Sequence, residues 1–511
     1  AEFLRDAQKS LKEINPEGVI FLNAGGWHAS SWRVAVGIQK VGKFQDFNGA
    51  EAFFHPHREH GLYDTAIMAK YLVAGGKPAV VFTHYALGLW HYNFLPPWEI
   101  KLAIAQTVAC GANPWFAFFN KAYEHAPAGV EPVEQIQGFL DENEEYYTVT
   151  KSEATAALHC SAQSSTFYIS ELAELYRDLG TGKEQDLIVD LGTGKTTIDW
   201  GKRKRICEGI QGTSFLGYCM ALLREHIPFD VILDKGLTEE SLSRYETLIL
   251  PNSACLSDQQ IGAVKGFVKR GGKLVASFET GLYDERGRRR TLCPFDELLG
   301  IQTREGVFPA TLGENYMKAK QDYFAFAKGS LLPRGPYCLK VKAKEGTKTP
   351  IVFLESIPRV YMPLTKESEY PALIINSFGE GICIYFPQLI GSFYANYKIE
   401  DTRRLISHTV KGVSRSIPLE VEAPPTVQVE LHSQEKPRKR FLIHLVNNGG
   451  DMQRPISRIV PVENIRVRVK TDTTQKVYTL TKRKEIEFNR AEGWTESTLP
   501  KLDFYEVVVA E

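Results

Sequence analysis

The first 115 residues are rich in side chains that suit a polar ligand with apolar faces. Six of the twelve histidines and five of the seven tryptophans lie between Trp27 and Trp115. Aromatic rings can cover the C–H side of a sugar while imidazole, amide and carboxylate groups bind its hydroxyls. The cluster therefore indicates a carbohydrate site. The alternative for any single tryptophan is that it fills the layer between strands and helices.

One carboxylate is well placed for acid/base chemistry. Glu51, in the segment NGAEAFF, falls at the carboxyl end of a predicted strand, and we take it as the candidate acid/base. Glycoside hydrolysis uses two carboxyl groups that flank the bond, and no second one is found at a strand end of this sequence. The predicted substrate-binding residues are Asn23, Trp27, His28, Asp46, His84, Tyr85, Trp90, His91 and Trp115.

The run HPHREH is the best candidate for a metal site. It contains His55, His57 and His60, but Pro56 breaks the helical spacing by which two histidines bind one zinc ion. No paired carboxylate supports such a site either. The sequence therefore predicts neither a metal nor a cofactor.

Alternating helices and strands position these residues. Strand-like runs at 44–54, 79–84 and 114–119 enclose helical patterns at 64–74 and 99–110. The strand centres lie about 30 residues apart, which is typical of βα units in a parallel sheet. In a βα barrel the carboxyl ends of the strands form the catalytic face. Residues 1–152 contain only four such units, and a closed barrel has eight, so they predict the C-terminal half of a (β/α)8 TIM barrel.

Two further domains follow. Residues 153–414 have the pattern of a doubly wound α/β domain with insertions at about 171–205 and 303–349, and Asp258 is expected to cap one of its helices. Residues 415–511 contain short strands about 10 to 15 residues apart, which predicts a small C-terminal β-sandwich. A chain of 511 residues is long enough for about three domains.

Composition excludes several classes of partner. The 61 basic and 61 acidic side chains cancel, so no basic field favours nucleic acid. No run of 18 apolar residues predicts a membrane span. The eight cysteines are scattered, which indicates buried thiols in a reducing compartment, and hence a cytoplasmic protein. The chain begins at Ala1, which leaves open an upstream signal peptide or domain.

A cysteine hydrolase in the second domain is the main chemical alternative. Cys255 follows a predicted strand, but it stands in NSACLSD without the glycines of a nucleophile elbow. After the strand at 273–277, where such a nucleophile is expected, the residues are Phe278, Glu279 and Thr280. The sequence therefore argues against catalysis there.

Several segments resemble the β-galactosidases of glycoside hydrolase family 42. FNGAEAFF resembles their sixth barrel strand, KPAVVFTHYALGLW their seventh, and PPWEIKLAIAQTVACGANPWFAFF their eighth βα unit. The stretch from IPFDVILDKG to GGKLVAS resembles the trimerisation domain of these enzymes, which has a glutamine-amidotransferase-like fold without its nucleophile. The segment from RFLIHLVNNGG to LDFYEVVV resembles their small closing β-domain.

The resemblance implies a carbohydrate substrate and a homo-oligomer, a trimer formed through the middle domain. It also has departures. The nucleophilic Glu of family 42 ends the seventh strand, where this sequence has Thr83 or His84, and the family's acid/base falls upstream of Ala1. The chain is closer to glycosidases that join a fucosidase-like barrel to this domain, which would give Glu51 an acid/base role. The alternative is a catalytically inactive carbohydrate-binding or scaffold relative.

Overall fold

The computed structural model describes most of the chain, in two compact units. The described residues are 2–24, 26–27, 37–52, 62–87, 90–118, 121–125, 129–168, 200–308, 315–320, 331–359, 361–412 and 417–511, with only the backbone at 24, 87, 90–91, 122 and 200–210. The first unit comprises Ala1–Ala154, Leu222–Val231 and Ser416–Glu511, and the second comprises Thr155–Ala221 and Ile232–Arg415.

The N-terminal part of the first unit alternates helices with short strands. Its helices are α1 (Glu2–Ile14), α2 (Ile38–Val41), α3 (Asp64–Val73), α4 (Pro97–Ala109), α5 (Ala122–His125) and α6 (Glu131–Glu142), with 3-10 turns at Gly42–Phe44 and Glu144–Tyr146. Its strands are β1 (Asn23–Ala24), β2 (Asn48–Glu51), β3 (Ala79–His84), β4 (Ala86–Leu87), β5 (Trp90–Phe94), β6 (Asn113–Ala117) and β7 (Lys151–Ser152).

Four of these strands form one parallel sheet in the order β1-β2-β3-β6. Side chains alternate between its two faces. Ala50 and Val81 are fully buried on one face, where helix α3 packs against the sheet, and Glu51 is exposed on the other. The strands β4 and β5 form a separate antiparallel hairpin directly after β3. The predicted strand at 79–84 coincides with β3, whereas the predicted strand at 44–54 shortens to β2 because its start forms a 3-10 turn.

The second unit is built around a nine-stranded sheet. The strands from this part of the chain are β8 (Ala156–Cys160), β9 (Phe229–Leu233), β10 (Thr247–Leu250), β11 (Lys273–Ser277), β12 (Ile301–Val307), β13 (Tyr316–Ala319), β14 (Leu331–Pro333), β15 (Leu339–Ala343), β16 (Lys348–Leu354), β17 (Glu367–Phe378) and β18 (Gly381–Phe386). The helices are α7 (Ala162–Phe167), α8 (Trp200–Arg224), α9 (Glu239–Leu242), α10 (Asp258–Lys269), α11 (Asp296–Leu299), α12 (Ile390–Tyr397) and α13 (Glu400–Lys411), with a 3-10 turn at Asp234–Gly236.

The large sheet has the order β14-β13-β16-β17-β18-β11-β10-β8-β9. Its pairs from β18 to β8 are parallel, and its pairs from β14 to β18 are antiparallel. The first predicted insertion lies mostly outside the described residues. The second predicted insertion contributes to two sheets. The large sheet contains its strands β13, β14 and the start of β16, and a separate two-stranded ribbon consists of β12 and β15. Helix α10 is capped by Ser257 rather than by Asp258, because Ser257 forms a capping box with Gln260.

The C-terminal segment consists of antiparallel strands. They are β19 (Leu419–Glu422), β20 (Val427–Gln434), β21 (Arg440–Asn447), β22 (Val462–Val469), β23 (Val477–Thr479), β24 (Lys484–Glu485), β25 (Phe488–Ala491), β26 (Trp494–Leu502) and β27 (Tyr505–Ala510). One sheet has the order β19-β22-β26-β25 and the other β24-β23-β27-β21-β20-β7. Val429, Ile443 and Val467 are among the buried side chains of the core that the two sheets share.

The C-terminal strands also share a core with the N-terminal helices of the same unit. Ile104 of α4 and Val133 of α6 belong to one buried cluster with Val446 and Val509. A buried ion pair reinforces this packing, since Lys70 Nζ lies 2.8 Å from Glu430 Oε2 and donates a second hydrogen bond to the carbonyl of Phe229. No helix among the described residues is long and apolar enough to cross a membrane.

Candidate functional site

Glu51 lies at the carboxyl end of β2 with its side chain exposed. The side-chain amide of Asn23 donates a hydrogen bond to Oε1 of Glu51 at 2.7 Å. Asn23 is in register with Gly49, so Asn23 and Glu51 lie on the same face of the sheet. The contact orients the Oε1 atom of the exposed carboxylate.

An aromatic surface lies on the same face as Glu51. Glu51 is in register with Phe82 of β3, and Phe82 is in register with Trp115 of β6. The rings of Phe82 and Trp115 pack edge to face at 4.9 Å, and Trp115 remains 47% exposed. Two strand spacings, about 10 Å, separate Glu51 from Trp115.

Gly49 makes this surface possible. A Cβ atom at Gly49 would lie 2.8 Å from a ring carbon of Phe82, so a larger residue would displace the ring. Phe21 continues the aromatic layer, with its ring 5.4 Å from that of Phe82 and 4.4 Å from that of Phe47. The glycine in FNGAEAFF thus leaves room for the ring of Phe82 in the strand next to Glu51.

Two of the predicted binding residues are buried at the end of β3. His84 accepts a hydrogen bond at Nδ1 from the backbone N–H of Ala86, at 2.9 Å, which places the proton of the neutral ring on Nε2. Tyr85 is fully buried, and its ring packs against Phe94 at 4.6 Å and Phe118 at 5.3 Å. Tyr85 therefore belongs to the apolar core rather than to the exposed face.

Trp27 and Asp46 are not brought to Glu51. Trp27 is buried and its Nε1–H donates to Asp64 at the start of α3, at 3.3 Å. Asp46 lies before the amino end of β2, where its Oδ2 accepts a 2.7 Å hydrogen bond from the backbone N–H of Ile20. Trp27 thus contacts the start of α3, and Asp46 contacts the backbone segment that precedes β1.

The remaining predicted residues are described only in part. His28 and the HPHREH run lie outside the described residues. Trp90 and His91 are placed on β5 by their backbone alone. Among the described residues, no group of three or more His, Cys, Asp or Glu side chains could hold a metal ion.

Exposed aromatic side chains that sequence reasoning did not select follow β3 and β6. Tyr92 on β5 and Tyr123 on α5 are both exposed. The ring of Tyr92 meets that of His125 edge to face at 5.4 Å. Tyr92 could have been predicted from the sequence, because it directly follows Trp90 and His91, which are both predicted binding residues.

A buried polar cluster lies at the carboxyl ends of the parallel strands of the second unit. His159 Nδ1 is 2.8 Å from Ser253 Oγ, and His159 Nε2 is 3.3 Å from Asp234 Oδ1. All three side chains are buried. Asp234 also accepts hydrogen bonds from the first backbone N–H groups of α7, so the cluster joins β8, β10 and α7.

The second unit has no exposed thiol at these strand ends among its described residues. Burial raises the pKa of the Cys255 thiol to about 12, with the charge of Asp284 as a further cause, so the reactive thiolate is scarce at neutral pH. After β11, Phe278 adopts a left-handed conformation with φ of 52° and is fully buried. The turn that could present a nucleophile here presents an apolar ring to the core.

Comparison with known proteins gives one family match. Residues 211–392 match the family model of the β-galactosidase trimerisation domain. The sequence matches none of the curated proteins. The resemblance to family 42 glycoside hydrolases is confirmed as a partial and divergent one: the chain contains a β-galactosidase trimerisation domain, and family 42 β-galactosidases are among the solved structures that share its mixed α/β fold.

Solved structures share the fold along the whole chain. α-L-Fucosidase isoenzyme 2 from Paenibacillus thiaminolyticus is 18% identical with a TM-score of 0.74, and the alignment covers 100% of this chain and 70% of that one. The β-galactosidase from Bacillus circulans sp. alkalophilus is 15% identical with a TM-score of 0.67, over 100% and 66% of the two chains.

A catalytic mutant of Gan42B, a family 42 β-galactosidase from G. stearothermophilus, is 16% identical. Its TM-score is 0.66, and the alignment covers 100% of this chain and 66% of that one. This chain therefore spans about two thirds of the length of these structures. At such identities the likeness concerns the fold.

Proposed function

We propose that the chain is the C-terminal part of a glycoside hydrolase in which Glu51 is the acid/base. The observation that carries the proposal is the oriented carboxylate itself. Glu51 is held by Asn23 at a strand's carboxyl end, on the same sheet face as the exposed ring of Trp115. The fucosidase and the β-galactosidases of the same fold support a carbohydrate substrate, of the galactoside or fucoside kind.

The proposed division of labour follows from the chemistry. Glu51 would protonate the leaving oxygen, and a second carboxylate, which the sequence does not supply at a strand end, would act as the nucleophile or base. The exposed face of Trp115 would cover the apolar side of the sugar ring. The four parallel strands β1, β2, β3 and β6 are the proposed half barrel, and the C-terminal strands are the proposed β-sandwich domain.

The middle domain is proposed to be amidotransferase-like and to assemble the chain into a trimer. The parallel pairs of its sheet and the match to the trimerisation domain support both parts of this proposal. We also expect a cytoplasmic location. The seven cysteines with described side chains are all buried free thiols, which suits a reducing compartment.

The rival function is a carbohydrate-binding or scaffold protein without catalysis. It is favoured by the end of β3, where the resemblance places a nucleophile. Thr83 and His84 are both buried there, and the imidazole of His84 is engaged with the backbone of Ala86. A neutral imidazole in this position cannot replace a carboxylate nucleophile.

A panel of nitrophenyl glycosides distinguishes the two functions. The protein in its complete natural form is assayed as the wild type, as Glu51→Gln and as Glu17→Gln, whose carboxylate is exposed on the turn after α1. The proposal expects hydrolysis of at least one glycoside, a lower rate in Glu51→Gln than in the wild type, and no change in Glu17→Gln. Sugar binding without hydrolysis by the wild type would instead support the scaffold.

A further inference from the structure

The loop between β16 and β17 carries an exposed apolar run at its tip. Tyr361 is 95% exposed, Leu364 54% and Met362 49%, and Pro363 between them is exposed as well. These four residues, 361–364, are termed the tip. Single exposed apolar residues are ordinary, but a consecutive run on a projecting loop marks an interaction site.

The base of the loop is firmly attached to the second unit. Ile357 is buried, and its backbone N–H donates a 3.1 Å hydrogen bond to Asn315. Arg334 donates a 2.8 Å hydrogen bond to Ser356, and its guanidinium lies 4.7 Å from the ring centre of Phe308. The loop already buries its own apolar anchor, so the fold does not require the apolar side chains of the tip.

The two ends of the loop are also joined to each other. The backbone N–H of Glu355 donates to the carbonyl of Lys366 at 3.0 Å, and the hydroxyl of Thr365 donates to the carbonyl of Glu355. The tip is thus presented on a closed, hydrogen-bonded stem. A surface held in one position before binding loses less conformational freedom when a partner covers it.

Tyr361, the first residue of the tip, has a backbone conformation that is unusual for an aromatic residue. Tyr361 has φ of 62°, in the left-handed region where glycine or asparagine is usual and a bulky side chain is an outlier. Backbone strain of this kind is found most often at functional sites. An aromatic side chain in this conformation is poorly explained by folding alone, since it packs so little against its own chain.

Positive charge flanks the tip. Arg359 and Lys366 stand on either side of it, both exposed, and neither forms an ion pair with a carboxylate among the described residues. A partner surface that covers the tip should therefore be apolar with acidic groups at its rim. This requirement excludes a second tip as the partner, because two such loops would repel each other.

We propose that the tip is a contact surface for a second copy of this chain. The inference rests on the proposed assembly of the middle domain, and the loop lies inside residues 211–392, which match the trimerisation domain. A closed ring with an odd number of subunits needs two different surfaces at each contact. A basic apolar tip that meets an acidic apolar surface elsewhere on the next copy satisfies that condition.

The test measures oligomeric mass and dissociation constant by sedimentation velocity and light scattering. The variants are Leu364→Asp and Tyr361→Asp, and the control is Met452→Asp, at a fully exposed residue of the first unit. Arg359→Glu tests the charge. We expect a wild-type trimer, at least a tenfold weaker association in the three tip-loop variants, and no change in the control. Circular dichroism and thermal unfolding of each variant ensure that a loss of mass is not a loss of fold.

The outcomes separate the tip from the wider assembly. If the wild type and the folded tip variants associate equally, the tip inference is wrong while the assembly stands. If the wild type is monomeric at every concentration, the proposed assembly is wrong, and so is the proposal that the tip contacts a second copy of the chain. If a monomeric wild type instead binds phosphatidylserine vesicles and Leu364→Asp does not, the occupant is a membrane surface and the inference is overturned.

Discussion

Asn23 and Glu51 are 28 residues apart in the chain, and their side chains are joined by a 2.7 Å hydrogen bond on the exposed face of a parallel sheet. The bond links the ends of β1 and β2 and fixes the direction of one carboxylate oxygen. The backbone register of Asn23 with Gly49 does not depend on the side chain, so the amide can be removed without breaking this strand pairing. This pair is the centre of the proposed site.

Removal of the Asn23 amide should lower the rate of glycoside hydrolysis even though Glu51 is still present. A hydrogen bond to a charged group contributes about 1.5–3 kcal/mol, so Asn23→Ala should lower kcat about tenfold or more and leave KM nearly unchanged. Steady-state kinetics on a disaccharide of the preferred sugar check this. Asn489→Ala, at an exposed residue of β25, serves as the control. Equal loss in both variants, or an effect confined to KM, would contradict the positioning role.

Trp115 should contribute to sugar binding through its exposed face. A stacked ring contributes about 0.5–1.5 kcal/mol, so Trp115→Ala should weaken sugar affinity by about threefold to tenfold. Titration calorimetry with the best-bound sugar measures the change. Trp494→Ala, in the C-terminal strand β26, is the matched control. Unchanged affinity in Trp115→Ala would place the sugar elsewhere.

The ion pair between Lys70 and Glu430 should be essential to the stability of the first unit. Burial alone would lower the pKa of Lys70, but the charge of Glu430 outweighs it and the pKa is raised. Lys70→Met leaves a buried carboxylate unpaired, which should cost about 3–5 kcal/mol in the free energy of unfolding. The double variant with Glu430→Gln should recover much of that loss.

Chemical denaturation monitored by circular dichroism measures these free energies. Because the folded-state pKa of Lys70 lies above its ordinary value of 10.5, the contribution of the charged lysine is fully present below that pH. It is lost only as the pH rises further. A single variant as stable as the wild type would show that the pair contributes nothing.

Two histidines should make the first unit sensitive to acid. His432 and His444 are buried with ring centres 5.3 Å apart, and burial lowers the pKa of both, that of His444 strongly. The unfolded chain takes up these protons at the ordinary pKa of 6.5, whereas the folded chain resists them. Stability therefore falls as the pH drops below that value, by about 1.4 kcal/mol per pH unit for each histidine.

The midpoint of urea denaturation between pH 7 and pH 5 measures this slope. His444→Asn should reduce this slope by the contribution of one proton, about 1.4 kcal/mol per pH unit. His125→Asn, at an exposed histidine, should leave the slope unchanged. A slope that is the same in His444→Asn and the wild type would show that His444 does not titrate in this range.

Local structure was largely predictable from the sequence, because it depends on neighbouring residues. The strand-like run of residues at 79–84 identified β3 at its observed bounds. The cap of α10 was misplaced by one residue, because Ser257 and Asp258 are both good caps and only the contact of Ser257 with Gln260 decides between them. Such choices depend on geometry that composition does not specify.

The site was predictable only in part. The strand-end position of Glu51 followed from the pattern, but its partner Asn23 could not be chosen over Asp46 without the register of β1 on β2. The pairing of Lys70 with Glu430 was also invisible, because 360 residues separate them. Contacts between distant segments are formed by the tertiary fold, and a single sequence carries no direct signal for them.

The dependence of hydrolysis on the leaving group tests the central claim most directly. An acid/base residue is needed most when the leaving group is a poor one, and its removal costs about 100-fold or more in rate. Wild type and Glu51→Gln are compared by kcat/KM on a nitrophenyl glycoside and on a disaccharide of the same sugar. We predict a loss of about 100-fold on the disaccharide and a much smaller loss on the nitrophenyl glycoside. Equal values of kcat/KM for the variant and the wild type on both substrates would contradict the assignment of Glu51.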